Sequence, residues 1–93
     1  MSLLNMFKRT DINAGVDEFR NTQGAVLLDV RTKEEYNDGH IEGSINIPLQ
    51  NIYSVQTAIT DLDKPVFVHC LSGGRSAQAT SILKSMGYKN VEN

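Results

Sequence analysis

Two short apolar runs stand out along the chain, and each is followed by residues at helical spacing. Ala25-Val26-Leu27-Leu28-Asp29-Val30 is apolar apart from Asp29, and Val66-Phe67-Val68 is apolar throughout. Unbroken runs of this length suit strands covered on both faces, the usual condition of a parallel sheet. After the second run, residues 76–86 place Ala79, Ile82, Leu83 and Met86 at helical spacing and stop at Gly87. Leu49, Ile52, Val55 (or Gln56) and Ile59 predict another helix with one apolar face. Thr32-Lys33-Glu34-Glu35 is a capping box that opens a shorter helix ended by Gly39, with Tyr36 turned inward.

Weaker signals fill the gaps. Phe7-Lys8-Arg9 reads as a short edge strand, and Thr10 or Asp11 as the cap of a helix with Ile12, Val16 and Phe19 on one face. Residues 21–24 and 61–65 read as a turn and a linker. Ser44-Ile45-Asn46-Ile47-Pro48 predicts a short strand closed by proline, and residues 88–93 begin a last strand. Strands alternating with helices call for an α/β architecture: a small, doubly wound parallel sheet with helices on both faces.

Length and composition narrow the function. Ninety-three residues make one domain, 1–93, with a modest core. A net charge of −2 gives no reason to expect nucleic acid. No apolar run approaches the roughly 20 residues that span a bilayer, so no membrane partner is expected. No histidine or cysteine cluster has metal-ligand spacing, so no metal and no cofactor are expected. The single cysteine excludes an internal disulfide within these residues and suits a reducing compartment, with cytoplasm the default.

That cysteine sits in the most informative stretch, His69-Cys70-Leu71-Ser72-Gly73-Gly74-Arg75-Ser76. It follows a strand and precedes a helix, where open α/β sheets place their ligands. A thiol is a good nucleophile only as thiolate, and its free pKa of about 8.5 is too high for neutral pH. A helix N-terminus, a turn of inward main-chain N–H groups and a guanidinium all favour a negative sulfur. Gly73 and Gly74 permit positive φ, and Arg75 can bind an oxyanion bidentately. The stretch therefore reads as a nucleophilic cysteine in an anion cradle. The plainer alternative is a buried structural cysteine beside an ordinary turn.

Three blocks carry a resemblance. Cys70-x-x-Gly73-x-Arg75-Ser76 is similar to the active-site loop of the rhodanese-like sulfurtransferases. Tyr36-x-x-x-His40-Ile41-x-Gly43-Ser44-x-x-Ile47-Pro48 resembles the family's aromatic-x-x-x-His-hydrophobic-Pro-Gly-Ala signature, with Glu42 in place of proline and Ser44 in place of alanine. Leu28-Asp29-Val30-Arg31 resembles its strand-ending Asp-x-Arg. The resemblance implies a rhodanese-like fold and a single-domain thiosulfate sulfurtransferase. Its donor would be a small sulfur anion such as thiosulfate, and its acceptor cyanide, a thiol or a protein.

On that resemblance Cys70 carries a persulfide, and the amides of Leu71, Ser72, Gly73, Gly74, Arg75 and Ser76 hold it. Asp29 and Arg31 support the loop through an ion pair, unless they form an exposed turn pair. His40 is expected to pack and hydrogen-bond in a turn, although its residue type also admits a Cys–His dyad. His69 is expected to face away from the thiol. Related domains usually continue from this last strand into a Gly-Gly turn and a closing helix, so a tail beyond these 93 residues is expected in preference to a minimal version of the domain.

The loop from Cys70 to Arg75 has six members. The fold-related dual-specificity phosphatases of the cell-cycle type, and the arsenate reductases resembling them, have one more. A phosphate needs a wider ring of amides than a single outer sulfur, so the shorter loop favours sulfane sulfur. A persulfide carrier without turnover of its own, or a binding module, remains a second reading, and a phosphatase or arsenate reductase a third.

Overall fold

A computed structural model describes residues 16–93, so the edge strand at Phe7-Lys8-Arg9 and the cap at Thr10 or Asp11 lie outside the described residues. The rest alternates strand and helix. Helix α1 is described over residues 16–21, then come β1 (Val26–Asp29), α2 (Lys33–Asp38) and β2 (Ile45–Asn46). A 3₁₀ segment (Leu49–Ser54) runs into α3 (Val55–Ala58), followed by β3 (Val66–His69), α4 (Gly74–Ser85) and β4 (Val91–Glu92). The four strands form one sheet in the order β2-β1-β3-β4, and every pairing is parallel. The α/β parallel architecture expected from the two apolar runs is the one observed.

β1 and β3 lie side by side at the centre, with Val26 opposite Val66 and Asp29 opposite His69. Residues of alternate parity face opposite ways along a strand. Leu28, Val30, Val66, Val68 and Cys70 therefore share one face, and they join Ile52, Val55, Ile59, Ala79, Leu83 and Tyr88 in the core. The 3₁₀ segment, α3 and α4 cover that face. Burying a leucine or valine side chain there contributes about 1.5–3 kcal/mol. On the other face Phe19 of α1 meets Phe67 edge-on, with ring centroids 6.4 Å apart. Phe67 and His69 are only half-buried, so β3 is covered less fully on this side than its apolar run predicts.

The predicted helix over 49–59 is two pieces. Asn51 adopts φ −111° and ψ 21°, outside helical values. The apolar positions explain the change: Leu49, Ile52 and Val55 recur every three residues, the 3₁₀ period, and Ile59 follows four later. The strand predicted over 44–48 shrinks to Ile45–Asn46. Ser44 is committed to a turn, donating its N–H (3.0 Å) and its hydroxyl (2.6 Å) to the carbonyl of Ile41. Helix α4 begins at Gly74, two residues ahead of the periodic signal. No helix among the described residues is long and apolar enough to cross a membrane.

Candidate active site

β3 ends at His69, and the chain turns within four residues into α4, so Cys70 lies at the carboxyl edge of the sheet and at the head of a twelve-residue helix. Gly73 makes this turn possible. It caps α4 with φ +85°, a left-handed conformation that costs other residues roughly 1–2 kcal/mol. Gly74 does not share this role. It has no positive φ and is the first residue of the helix, so only one of the two glycines serves the curl expected of both.

The turn aims donors at the sulfur. The Gly73 N–H donates to Cys70 Sγ at 2.9 Å and the Ser76 N–H at 3.2 Å. The Ser76 hydroxyl is 3.3 Å from Sγ and donates to the Gly73 carbonyl at 3.0 Å. Cys70 is 7% exposed, and Leu71 beside it is 75% exposed. Burial pushes the Cys70 thiol up, but the Ser76 hydroxyl and the main-chain N–H groups of Ser76, Gly73 and Ser72 outweigh it. The thiol sits below its ordinary value. Of the amides expected to form the cradle, those of Gly73 and Ser76 reach the sulfur directly.

Asp29 and Arg31 pair as expected, and they are buried rather than an exposed turn pair. Asp29 is 0% exposed. Arg31 Nε donates to Oδ1 (3.1 Å) and Oδ2 (3.0 Å), and Nη2 to Oδ2 (2.9 Å). The Arg31 main-chain N–H adds a bond to Oδ1 at 2.9 Å. Nη2 also donates to the Gly39 carbonyl at 2.7 Å, which ties the end of α2 to the sheet. Hydrogen bonding to Asp29 raises the Arg31 guanidinium further, against the opposing effect of burial. Asn46 donates to the carbonyls of Asp29 (3.0 Å) and Arg31 (2.9 Å), a brace its residue type does not announce.

Arg75 engages a partner absent from the expected site. Nη1 donates to Glu35 Oε1 at 2.6 Å and Nη2 to Oε2 at 3.0 Å. Hydrogen bonding to Arg75, then the Thr32 main chain, holds the Glu35 carboxyl well below the usual range, at about 2. The capping-box spacing locates Glu35 at the start of α2, but nothing local says that it meets a residue forty positions on. Arg75 also borders a groove of about 350 Å³, lined on its apolar side by Leu49, Ile52, Tyr53 and Ile82.

Neither histidine is hydrogen-bonded to the Cys70 sulfur. His40 stacks on Tyr36 with ring centroids 3.7 Å apart, and its Nδ1 donates to the Tyr36 carbonyl at 2.8 Å. His69 lies on the sheet face opposite Cys70, and burial lowers it below its ordinary value.

The family model described as Rhodanese-like domain matches residues 14–93. The chain belongs to the rhodanese-like domain family. It is 45% identical over 67 residues to the thiosulfate sulfurtransferase PspE of Escherichia coli strain K12, a match covering 71% of this chain and 64% of PspE. It is 35% identical over 80 residues to the adenylyltransferase and sulfurtransferase uba4 of Ogataea parapolymorpha, covering 86% of this chain and 21% of that protein. A solved structure described as a rhodanese with anions from E. coli superposes with a TM-score of 0.71 and 43% identity. That superposition covers 74% of this chain and 82% of the other. This rhodanese-like domain thus spans under two thirds of the length of both curated relatives.

Within a rhodanese-like domain the geometry has a direct chemical meaning. Two main-chain N–H dipoles point at Cys70 Sγ, at the head of a helix that begins two residues before Ser76, and the Ser76 hydroxyl lies beside the sulfur with its proton on the Gly73 carbonyl. Among the described residues, the hydrogen-bonding contacts to Sγ are the Gly73 and Ser76 N–H groups and the Ser76 hydroxyl.

Proposed function

We propose that this domain is a single-domain thiosulfate-type sulfurtransferase working through a Cys70 persulfide. The Cys70 thiolate attacks the outer sulfur of thiosulfate. The new S–S bond forms as the old one breaks, and the bonding pair leaves with sulfite. The persulfide anion rests on the amides of the Leu71, Ser72, Gly73, Gly74, Arg75 and Ser76 loop. An acceptor nucleophile (cyanide, a thiol or a protein cysteine) then attacks the outer sulfur and returns Cys70 as thiolate. Two half-reactions through one covalent intermediate give ping-pong kinetics. Asp29 and Arg31 hold the strand end beneath the loop, and an unpaired reactive thiol fits the cytoplasm.

The observation that carries this reading is the pair of main-chain donors on Sγ, from Gly73 and Ser76, in a loop of six members. PspE, a thiosulfate sulfurtransferase by name, supports it. The test is intact mass after thiosulfate treatment. Cys70 should gain one sulfur atom, cyanide should remove it, and Cys70→Ser should neither gain sulfur nor turn over. Turnover retained by Cys70→Ser sinks the assignment.

The likeness to the putative sulfur carrier protein YrkF of Bacillus subtilis supports a second reading, in which the domain carries persulfide to a protein partner. Slow thiosulfate turnover with fast transfer to a protein thiol would select it. Hydrolysis of a phosphate ester would instead select the phosphatase reading, which the six-member loop disfavours.

A further inference from the structure

The Arg75–Glu35 ion pair has a consequence for which anions the loop holds. Both Nη atoms of Arg75 are bound to the two oxygens of Glu35. Glu35 is itself fixed, because Oε1 accepts the Thr32 N–H at 2.9 Å and the Thr32 hydroxyl at 3.0 Å. Arg75 directly precedes Ser76, whose N–H holds the sulfur. Asp29, Arg31, Glu35 and Arg75 pair as two opposite-charge couples that sum to zero. An anion arriving at Cys70 therefore meets oriented dipoles and a neutralised guanidinium, where the sequence promised a free one.

We propose that Glu35 is a specificity-determining residue that acts through Arg75, tying the guanidinium to the start of α2 and limiting how tightly the loop holds dianions. This rests on the sulfurtransferase reading and deepens it. The first half-reaction leaves sulfite, a dianion, in the loop, and the second needs that place open for a nucleophile. A bare arginine would retain the leaving dianion. An arginine already neutralised by a carboxylate lets it go, while the amides of Gly73 and Ser76 keep the monoanionic persulfide.

The charge can be separated from the cap. A capping box accepts Gln in place of Glu, so Glu35→Gln keeps the start of α2 and removes the carboxylate. Sulfate is a dianion that does not react with a thiol, and its protection of Cys70 against iodoacetamide measures anion affinity without any turnover. Glu35→Gln should bind sulfate roughly fivefold more tightly at low ionic strength, the effect in water of one unit charge about 8 Å from a dianion. Added salt should shrink that gain, and an Arg75→Gln background should abolish it. Thiosulfate KM should fall by a similar factor, with kcat held down by sulfite release. Unchanged or weaker sulfate binding in Glu35→Gln overturns the proposal, and so does an equal gain in the Arg75→Gln background. Failure of the wild-type protein to take sulfur from thiosulfate would sink the sulfurtransferase reading alone, because the sulfate titration stands apart from turnover.

Discussion

The Ser76 hydroxyl lies 3.3 Å from the Cys70 sulfur and donates to the Gly73 carbonyl at 3.0 Å. In the thiol state the S–H donates to Ser76 Oγ. In the thiolate state that oxygen can turn its proton to the sulfur, so one side chain serves both charge states. Among the influences that lower the Cys70 pKa, the Ser76 hydroxyl is the largest. Ser76→Ala should therefore raise the midpoint of the pH profile of Cys70 alkylation. It should also slow persulfide formation at neutral pH by about tenfold, as expected for losing a hydrogen bond to a charged group. An unshifted alkylation profile would remove Ser76 from the account.

The adjacent glycines separate conformation from space. A Cβ at Gly73 would meet nothing within 4 Å, yet φ is +85° there. Gly73→Ala should cost roughly 1–2 kcal/mol in strain and displace the amide held 2.9 Å from Sγ. At Gly74 the nearest atom to a Cβ is Ser72 Oγ at 3.9 Å, an ordinary contact, and the backbone is helical. Gly74→Ala should lie within about 1 kcal/mol of wild type, on the stabilising side. Denaturant melts with thiosulfate turnover on the two variants check the contrast.

Asp29 has no exposed surface and accepts four hydrogen bonds from Arg31. Asp29→Asn leaves the Arg31 guanidinium buried without its counter-charge, a loss of about 3–5 kcal/mol. Urea unfolding should show the midpoint falling accordingly. A variant as stable as wild type would mean that the pair is relieved by water.

Glu35 should leave a mark on acid stability. Its folded carboxyl is held at about 2, below its ordinary 4.5. A depressed carboxyl stabilises the folded chain fully above its ordinary value and loses that contribution as pH falls toward the folded value. The Tm difference between wild type and Glu35→Gln should thus be constant above about pH 4.5 and close as pH drops toward about 2. Because the pair is a third exposed, added salt should shrink the difference.

Much of this domain is legible in its residue order. The two apolar runs give the central strands because strands buried in a parallel sheet need no alternation. The capping box at Thr32 is fully formed, since it depends on neighbours three residues apart. Other features needed contacts across the fold. The 3₁₀ segment at Leu49–Ser54 hides behind apolar positions that satisfy either helical period until Asn51 is seen to break the backbone. The partner of Arg75 is invisible along the chain because Glu35 advertises itself as a cap, and only folding brings α2 beside α4. The Asn46 brace is hidden for the same reason, being seventeen residues from the carbonyl of Asp29.

Within these 93 residues Cys70 is the only thiol. Nothing in this segment can resolve a sulfenic acid by closing an internal bridge, so an oxidant that reaches the cradle meets a site with no built-in rescue. On the proposed reading, each turnover takes its second nucleophile from outside these 93 residues. The oxidation history of this domain is therefore written by the small thiols and proteins that surround it.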